Sequence, residues 1–282
     1  MKAILCTTDF SSNSTIALKY SYALSKALGL KLVVLHVFDV KVIMASSLST
    51  SFAKKEQAAH EACRNKLKLY CDTHLGILPD GENLECTVLE NALVDEAIID
   101  AVQKHQIDLL VMGMKGGNPL QKLFVGSTTK KMIDKNLCPV LLLPKTTKEF
   151  KLKKFAYASD FEEADIHAIA WLIENLVKPL KANLDIVHIS TIDEYAGEDQ
   201  MAWFSEMLEQ KVSYSQLTYS RIDAEHIAKS LQQHLKKGKI DLLAMLERDK
   251  TGFVKSFVHV DLVKQMSSLA TLPILSFHKK LF

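Results

Sequence analysis

Hydrophobic residues along this chain alternate between short continuous runs and helix-like spacings. Ala3–Thr7 is a short apolar run, and in the next segment Ala17, Tyr20 and Leu24 recur at helical intervals. Gly29 is expected to end this helix, because glycine adopts the left-handed conformation of a helix C-terminus without strain. The same alternation continues along the chain, so the pattern predicts strands and helices in turn.

The predicted elements form two successive sets. In the first set, strands are expected at Ala3–Thr7, Leu32–Phe38, Leu84–Leu89, Ile107–Met112 and Val140–Leu143, and helices at Ser14–Leu28, at Phe52–His74, after a cap at Asn91 and after Val125. In the second set, strands are expected at Phe155–Ala158, Leu184–Ile189, Tyr214–Tyr219, Ile240–Met245 and Ile274–Phe277, and helices around Ile166, at Met201–Leu208, after a cap at Asp223 and before the final strand. Fully apolar strands that alternate with helices indicate a parallel sheet covered by helices.

Short sequence matches recur in the same order in the two halves. Thr8-Asp9-Phe10 returns as Ser159-Asp160-Phe161, Leu35-His36-Val37 as Val187-His188-Ile189, and Ile107–Met112 as Ile240–Met245. Matches that keep their order at both ends of a segment indicate a duplicated domain. We therefore predict domains at 1–146 and 151–282, joined by a linker rich in Lys and Thr over Lys145–Lys154.

The segment after the fourth predicted strand is rich in residues that suit an anion. Its glycines and the hydroxyl residues that follow them are Gly113, Gly116, Gly126, Ser127 and Thr128. Glycines let the backbone approach a phosphate without a Cβ in the way, and the first N–H groups of a helix donate to anions. Ligands of open parallel sheets bind beyond the carboxyl ends of the strands, so Asp9, which follows the first strand, is expected to face the same crevice.

The glycine spacing resembles a known signature. Gly-x2-Gly-x9-Gly-Ser after an apolar strand, with Thr-Asp-Phe-Ser at the end of the first strand, resembles the ATP-binding universal stress protein family, and the duplication resembles its tandem-domain members. The resemblance implies an α/β fold of two flavodoxin- or Rossmann-like domains of the adenine nucleotide alpha hydrolase type. Each domain would contain five parallel strands in the order 3-2-1-4-5, flanked by helices.

The resemblance also implies a ligand and the residues that hold it. ATP is expected, accompanied by Mg²⁺ or Mn²⁺ at the phosphates. Its phosphates and ribose would contact Gly113, Gly116, Gly126, Ser127 and Thr128, and its base and ribose would contact Thr8, Asp9, Val37 and Met112. Thr7 belongs to the same set, although many family members have proline at that position. His36, on a buried strand, is expected to be a hydrogen-bonded core residue and not a ligand.

The second copy lacks the glycine pattern. Leu246 stands in place of Gly113, Asp249 in place of Gly116, and His259-Val260 in place of Gly126-Ser127. An aspartate about 4 Å from a phosphate would repel it by about 4 kcal/mol at an effective dielectric near 20, which corresponds to about a thousandfold in affinity. The second domain is therefore expected to be structural or to hold a different ligand.

Composition excludes several classes of function. The 282 residues are 48% hydrophobic and 24% charged, with a net charge of +2, so neither half has the basic excess of a nucleic-acid-binding protein. No run approaches the ~20 apolar residues that span a bilayer. The five cysteines contain no Cys-x-x-Cys pair and are interpreted as reduced thiols, and no signal peptide is recognised at Met1, so a cytoplasmic protein without a membrane partner is expected.

Three functional hypotheses remain from the sequence. The first is an ATP-binding regulatory protein of the stress response, and the second is a slow ATPase or self-phosphorylating enzyme that uses the same site. Hydrolysis needs a group that positions the attacking water, and Asp9 is the single candidate, which favours binding over turnover. The third is a ligand-free dimerisation or adaptor module. The fifth strands are expected at sheet edges; relatives dimerise through this edge, which implies pairing of the two copies within one chain and leaves a homodimer open.

Overall fold

The structure is a computed structural model that describes residues 1–39, 52–77, 81, 83–114, 126–147, 150–190, 198–247 and 272–282. These residues form two compact units, which we call unit 1 (within residues 1–147) and unit 2 (within residues 150–282). In the described ranges, no helix is both long enough and apolar enough to cross a membrane.

Unit 1 is an alternating series of strands and helices. Its elements are β1 (Ala3–Thr7), α1 (Ser12–Leu28), β2 (Lys31–Phe38), α2 (Phe52–Leu75), β3 (Leu84–Glu90), α3 (Val94–Lys104), β4 (Leu109–Gly113), α4 (Ser127–Asp134) and β5 (Val140–Leu143). The strands are parallel and lie in the order β3-β2-β1-β4-β5. This is the predicted 3-2-1-4-5 order, and the predicted fold class is confirmed.

Unit 2 repeats this architecture. Its elements are β6 (Lys154–Ala158), α5 (Glu163–Leu172) continued by a π-helical turn (Ile173–Val177), β7 (Asn183–Ser190), α6 (Glu198–Lys211), β8 (Leu217–Asp223), α7 (Ile227–Gly238), β9 (Leu242–Glu247), β10 (Ile274–His278) and a 3₁₀ turn (Lys279–Leu281). Its parallel strands lie in the order β8-β7-β6-β9-β10, which is again 3-2-1-4-5 within the unit. The helix predicted before the final strand lies outside the described residues.

The register of the strands is also duplicated. Leu5 pairs with Leu110 in unit 1, and Ala156 pairs with Leu243 in unit 2. Each unit 2 residue lies at the offset that the sequence repeat predicts, 151 for the first strand (156 − 5) and 133 for the fourth (243 − 110). Because a one-residue slip would turn every side chain to the opposite face of the sheet, the common register gives both units the same alternation of side chains.

One aspartate in each unit joins the starts of two neighbouring strands. A carboxylate oxygen of Asp108, just before β4, accepts the backbone N–H groups of Lys2 and Ala3. Asp241, just before β9, accepts the corresponding N–H groups at the start of β6, with distances of 2.9 and 3.0 Å. The repeated Ile-Asp-Leu-Leu sequence therefore has a structural reason at the amino ends of the strands.

The helix ends show where sequence signals succeed and fail. Gly29 ends α1 in the left-handed conformation, at φ 66°, as predicted. The prediction that Asn91 caps α3 is wrong, because Leu93 is the N-cap and Asn91 Oδ1 accepts the Leu93 N–H at 2.8 Å. The prediction that Asp223 caps α7 is also wrong, since Asp223 is the last residue of β8 and His226 is the N-cap.

Candidate functional site

The chain reverses direction after β1 in a turn that buried hydroxyl groups stabilise. The Thr8 side chain, 6% exposed, donates from Oγ1 to Ser14 Oγ at 3.0 Å and accepts the Phe10 N–H at 3.0 Å. Phe10 has φ 63°, a left-handed conformation that a bulky residue rarely adopts. This turn places Thr7, Thr8 and Asp9 at the carboxyl end of the strand.

Asp9 presents an ionised carboxylate at this edge. Its residue is exposed, and its Oδ1 accepts the Ser11 N–H at 3.0 Å. Partial shielding of the carboxyl group acts to raise the pKa, but the hydrogen bonds from Ser11 and Ser14 outweigh it and hold the pKa of Asp9 below its ordinary value. Asp9 is therefore negatively charged at neutral pH and suits a hydroxyl group or a cation, not a phosphate.

Aromatic rings cover the turn from the outside. The ring of Phe10 lies 4.3 Å from that of His36 and 5.1 Å from that of Tyr70, measured between centroids. Lys66 Nζ lies 4.2 Å from the centroid of the Phe10 ring, within the range of a cation–π contact. The Tyr70 hydroxyl is 2.8 Å from Thr15 Oγ1, so α2 supports the turn through both its ring contacts and a hydrogen bond.

His36 is a structural residue of this turn, as the sequence predicts. Its Nδ1 lies 2.9 Å from the carbonyl oxygen of Thr8. A carbonyl oxygen only accepts, so Nδ1 carries the proton and donates. Burial lowers the pKa of His36 below its ordinary value; the Thr8 carbonyl and Asp9 oppose this shift and Lys66 adds to it.

The lowered pKa of His36 predicts an acid-sensitive stability. In the unfolded chain the imidazole has its ordinary pKa of ~6.5, whereas in the folded chain its pKa is lower. Between these values the unfolded state binds more protons, so the free energy of unfolding decreases as the pH falls through this window. We expect His36→Gln to reduce this dependence, measured by chemical denaturation at pH 7.5 and pH 5.5.

A second histidine provides the comparison for this measurement. Burial also lowers the pKa of His105, so His36→Gln with His105→Gln should flatten the dependence further than either change alone. An unchanged difference between the two pH values in the His36→Gln variant would show that this imidazole does not contribute to acid sensitivity.

The end of β4 lies against the start of α1. Met112 is buried, at 6% exposure. A Cβ added to Gly113 would lie 2.6 Å from the carbonyl oxygen of Asn13 and 3.1 Å from the backbone nitrogen of Ser14. The missing side chain of Gly113 is therefore explained by backbone packing within unit 1, in addition to the phosphate role that the sequence predicts.

The helix after β4 begins at the predicted glycine. Gly126 is the N-cap of α4, with φ −60° and ψ 155° and no side-chain cap. Ser127 is exposed, Thr128 is half-buried and Thr129 is buried. The first N–H groups of any helix have no partner within the helix and carry a partial positive charge, so the start of α4 can donate to an anion.

The parallel strands bring most of the predicted site residues to one edge of the sheet. Thr7 pairs with Leu35 in the register of β1 and β2, and Val37 lies two residues further along β2, half-buried. Met112 and Gly113 end β4, the other neighbour of β1. A helix that connects two parallel strands starts on the side of the sheet where the first strand ends, which places Gly126 on this side. Gly116 lies outside the described residues.

The same turn exists in unit 2 without the same surroundings. His188 Nδ1 lies 2.8 Å from the carbonyl oxygen of Ser159, and Phe161 has φ 57° and stacks on His188 with centroids 4.8 Å apart. The ring of Phe161 is 1% exposed and also contacts Phe204. The turn and its histidine are therefore a shared structural motif of both units.

The sequence analysis missed one residue by which unit 2 differs from unit 1. Asp165 occupies the position of Ser14, and its carboxyl group is fully buried. It accepts hydrogen bonds from the hydroxyl groups of Tyr157 and Ser159, each at 2.9 Å, and from the backbone N–H of Asp160 at 3.2 Å. The sequence repeat, with its offset of 151, aligns Asp165 with Ser14 and could have revealed this difference.

In the part of the chain that the structure describes, no set of three or more His, Cys, Asp or Glu side chains is arranged to hold a metal ion. The pair His259 and Asp261, which occupies the corresponding loop of the second half, lies outside the described ranges.

Two doubly wound parallel α/β units define the class of this protein. The model of the universal stress protein family matches residues 1–144. This match covers half of the chain, so the chain belongs to the universal stress protein family.

Similar proteins support this assignment. Two universal stress proteins of Methanocaldococcus jannaschii are each 26% identical to the chain, one over 152 residues (50% of this chain and 94% of the relative) and one over 148 residues (52% and 85%). The crystal structure of a universal stress protein from Archaeoglobus fulgidus matches with a TM-score of 0.68 at 16% identity, covering 98% of each chain. At this identity the structural match shows a common fold, which extends over nearly the whole chain.

Proposed function

We propose that unit 1 binds ATP and that the protein acts as a nucleotide-dependent regulator in the stress response. The observation that supports this proposal most directly is the start of α4. There an uncapped helix N-terminus with an exposed Ser127 follows the strand that neighbours β1. Helix N-termini at the carboxyl edge of a parallel sheet are the common phosphate sites of α/β folds.

The site residues have distinct roles in this proposal. The backbone N–H groups and hydroxyls of Ser127 and Thr128, together with Gly116 and Gly126, would hold the phosphates. The Asp9 carboxylate would accept a ribose hydroxyl, since an ionised carboxylate is a strong acceptor. The adenine would lie against Thr7, Thr8, Val37 and Met112, with Gly113 allowing the close approach of backbone.

A Mg²⁺ or Mn²⁺ ion is proposed together with the phosphates. The carboxylate of Asp9 is ionised and exposed at this edge, so it suits a divalent cation, directly or through water. Mg²⁺ usually keeps several waters and takes further ligands from substrate phosphates. The ion would neutralise phosphate charge and would depend on the nucleotide for most of its ligands.

Unit 2 is proposed to bind no ATP. The fully buried Leu246 replaces Gly113 at the end of β9, so this strand end presents a large side chain in place of a hydrogen atom. The buried carboxyl group of Asp165 occupies the position of Ser14, and its oxygens accept the neighbouring hydroxyl and N–H groups, which leaves fewer donors for an anion. Both differences add to the loss of the glycine spacing.

The stoichiometry of binding tests this proposal. We expect calorimetry with MgATP to give about one nucleotide per chain, because only the first half of the sequence has the glycine and hydroxyl spacing. Two equivalent sites would contradict the difference between the units, and no binding would contradict the proposed function itself. Mass spectrometry of nucleotide that co-purifies with the chain gives an independent measurement.

Binding is favoured over catalysis at this site. Asp9 is the acidic side chain that follows β1 at this edge, and the Ser11 N–H already donates to it. Phosphate transfer needs groups that position the attacking nucleophile and stabilise charge at the γ-phosphate. A turnover faster than about 1 s⁻¹ would instead support the enzymatic alternative.

The cytoplasm is the proposed location of this activity. All five cysteines are free thiols in the structure, which fits a reducing compartment. Cytoplasmic ATP would also be available there to the proposed site.

A further inference from the structure

Two cysteines lie in contact on the side of unit 1 away from α4. Cys71 on α2 and Cys86 on β3 have their sulfur atoms 3.5 Å apart, with the Cys86 thiol donating toward Cys71. Cys71 is fully buried, whereas Cys86 is partly accessible. β3 is the outermost strand of unit 1 on this side, since it pairs with β2 alone among the strands of the unit.

We propose that Cys71 and Cys86 form a reversible disulfide when the protein meets a hydroperoxide. The two sulfur atoms need to approach from 3.5 Å to the bond length of about 2.05 Å. This requires small rotations of two side chains and no rearrangement of the fold. Neither cysteine is among the residues proposed to hold the nucleotide.

The reaction balances in two steps. The thiolate of the accessible Cys86 attacks one oxygen of the peroxide and forms a sulfenic acid. The hydroxide or alkoxide that is displaced takes up the proton lost by the Cys86 thiol and leaves as water or an alcohol. The thiolate of Cys71 then attacks the sulfenic sulfur and displaces hydroxide, which leaves as water with the proton of the second thiol. Overall, two thiols lose two electrons and two protons, and the peroxide is reduced.

The other three cysteines serve for comparison with this pair. Burial raises the pKa of Cys6 and of Cys138 to about 12 each, which disfavours their thiolate forms. Cys63 lies on α2 two turns before Cys71 and is half-buried. Cys63 therefore serves as a matched control on the same helix.

The contact also predicts the speed of the reaction. The neighbouring Cys86 thiol and burial raise the pKa of Cys71 well above its ordinary value. Because the thiolate is the reacting species, disulfide formation should be slow at pH 7 and faster with each unit of pH up to 9.

The disulfide would join α2 to β3 next to the turn after β1. Tyr70, the neighbour of Cys71, contacts both Thr15 and the ring of Phe10. Oxidation would therefore fix the helix that supports this turn, and unit 1 should become more resistant to unfolding.

Peptide mapping of the full chain tests the proposal. The reduced protein is treated with hydrogen peroxide, alkylated with iodoacetamide and digested with trypsin. Residues 69–103 contain no Lys or Arg, so trypsin leaves both cysteines in one peptide, 69–104. We expect this peptide to be two hydrogen masses lighter and unalkylated until a reductant is added. Cleavage after Glu85 then separates two peptides that remain linked.

Several outcomes would overturn the proposal. Both cysteines could stay alkylatable, Cys86 could pair with Cys6, or the link could join two chains. Cys63→Ala should retain the disulfide and Cys86→Ala should lose it. In wild-type protein the Tm should rise on oxidation by roughly 5 °C and return on reduction, a measurement that does not depend on the folding of any variant.

Discussion

Replacing Gly126 with aspartate is expected to lower the affinity of the chain for ATP by about a thousandfold. Gly126 is the N-cap of α4, at φ −60° and ψ 155°, a backbone conformation open to any residue. Aspartate is a favoured N-cap, so the helix and the fold should be retained or stabilised. Its negative charge about 4 Å from a phosphate costs about 4 kcal/mol at an effective dielectric near 20.

Gly126→Asn is the matched control for this prediction. Asparagine has nearly the shape of aspartate and caps helices equally well, but it carries no charge. Calorimetry should show a much smaller loss of affinity for Gly126→Asn, and the loss in Gly126→Asp should weaken at high salt because of screening. Unchanged affinity in both variants would place the phosphates away from α4.

Replacing Gly113 with alanine is expected to lower the free energy of unfolding by about 3 kcal/mol. The new Cβ would lie 2.6 Å from the carbonyl oxygen of Asn13 and 2.7 Å from its carbonyl carbon. These are backbone atoms at the start of α1, so they cannot rotate away as a flexible side chain would. The strand end and the helix would have to separate by several tenths of an ångström.

Gly81→Ala is the control for the backbone effect of removing a glycine. A Cβ at Gly81 meets nothing within 4 Å, and the smaller entropy of the unfolded alanine chain should leave stability unchanged or slightly higher. Denaturant titration without nucleotide measures both variants. Equal stability of Gly113→Ala and wild type would mean that Gly113 is needed only for the ligand.

Much of the fold follows from local signals in the sequence. The continuous apolar run of β1 and the spacing of Ala17 and Leu24 in α1 predicted these elements within two residues of their observed limits. Gly29 ended α1 as expected, because positive φ is a local property of glycine. The alternation of strands and helices predicted a parallel sheet, and the family resemblance implied its strand order.

Side chains that can cap a helix were less informative about where the helix begins. Asn91 was predicted to cap α3, but its side chain closes a local turn by accepting the Leu93 N–H. Such side-chain to backbone hydrogen bonds compete with capping over a few residues. The predicted strand at Tyr214–Tyr219 starts only at Leu217, and the Tyr214 hydroxyl donates to the Ala182 carbonyl before the strand begins.

Tertiary contacts decided the features of the candidate site that the sequence did not reveal. The contact of Gly113 with Asn13 joins residues 100 positions apart (113 − 13), and no local pattern reports it. The support that Tyr70 gives to Thr15 depends in the same way on the packing of α2. The glycine and hydroxyl spacing identified the candidate phosphate segment, but the role of each glycine needed the structure.

The paired aspartates Asp108 and Asp241 have a consequence for how the two halves change over evolution. Each one fastens the beginnings of two adjacent strands, at the edge of the sheet opposite to the one where a nucleotide would be held. The residues that hold the strands together thus lie at the amino ends of the strands, and the residues that would hold a ligand lie at the carboxyl ends. Substitutions at the carboxyl ends can accumulate while the amino ends stay unchanged, so a domain that no longer binds a ligand can keep its fold.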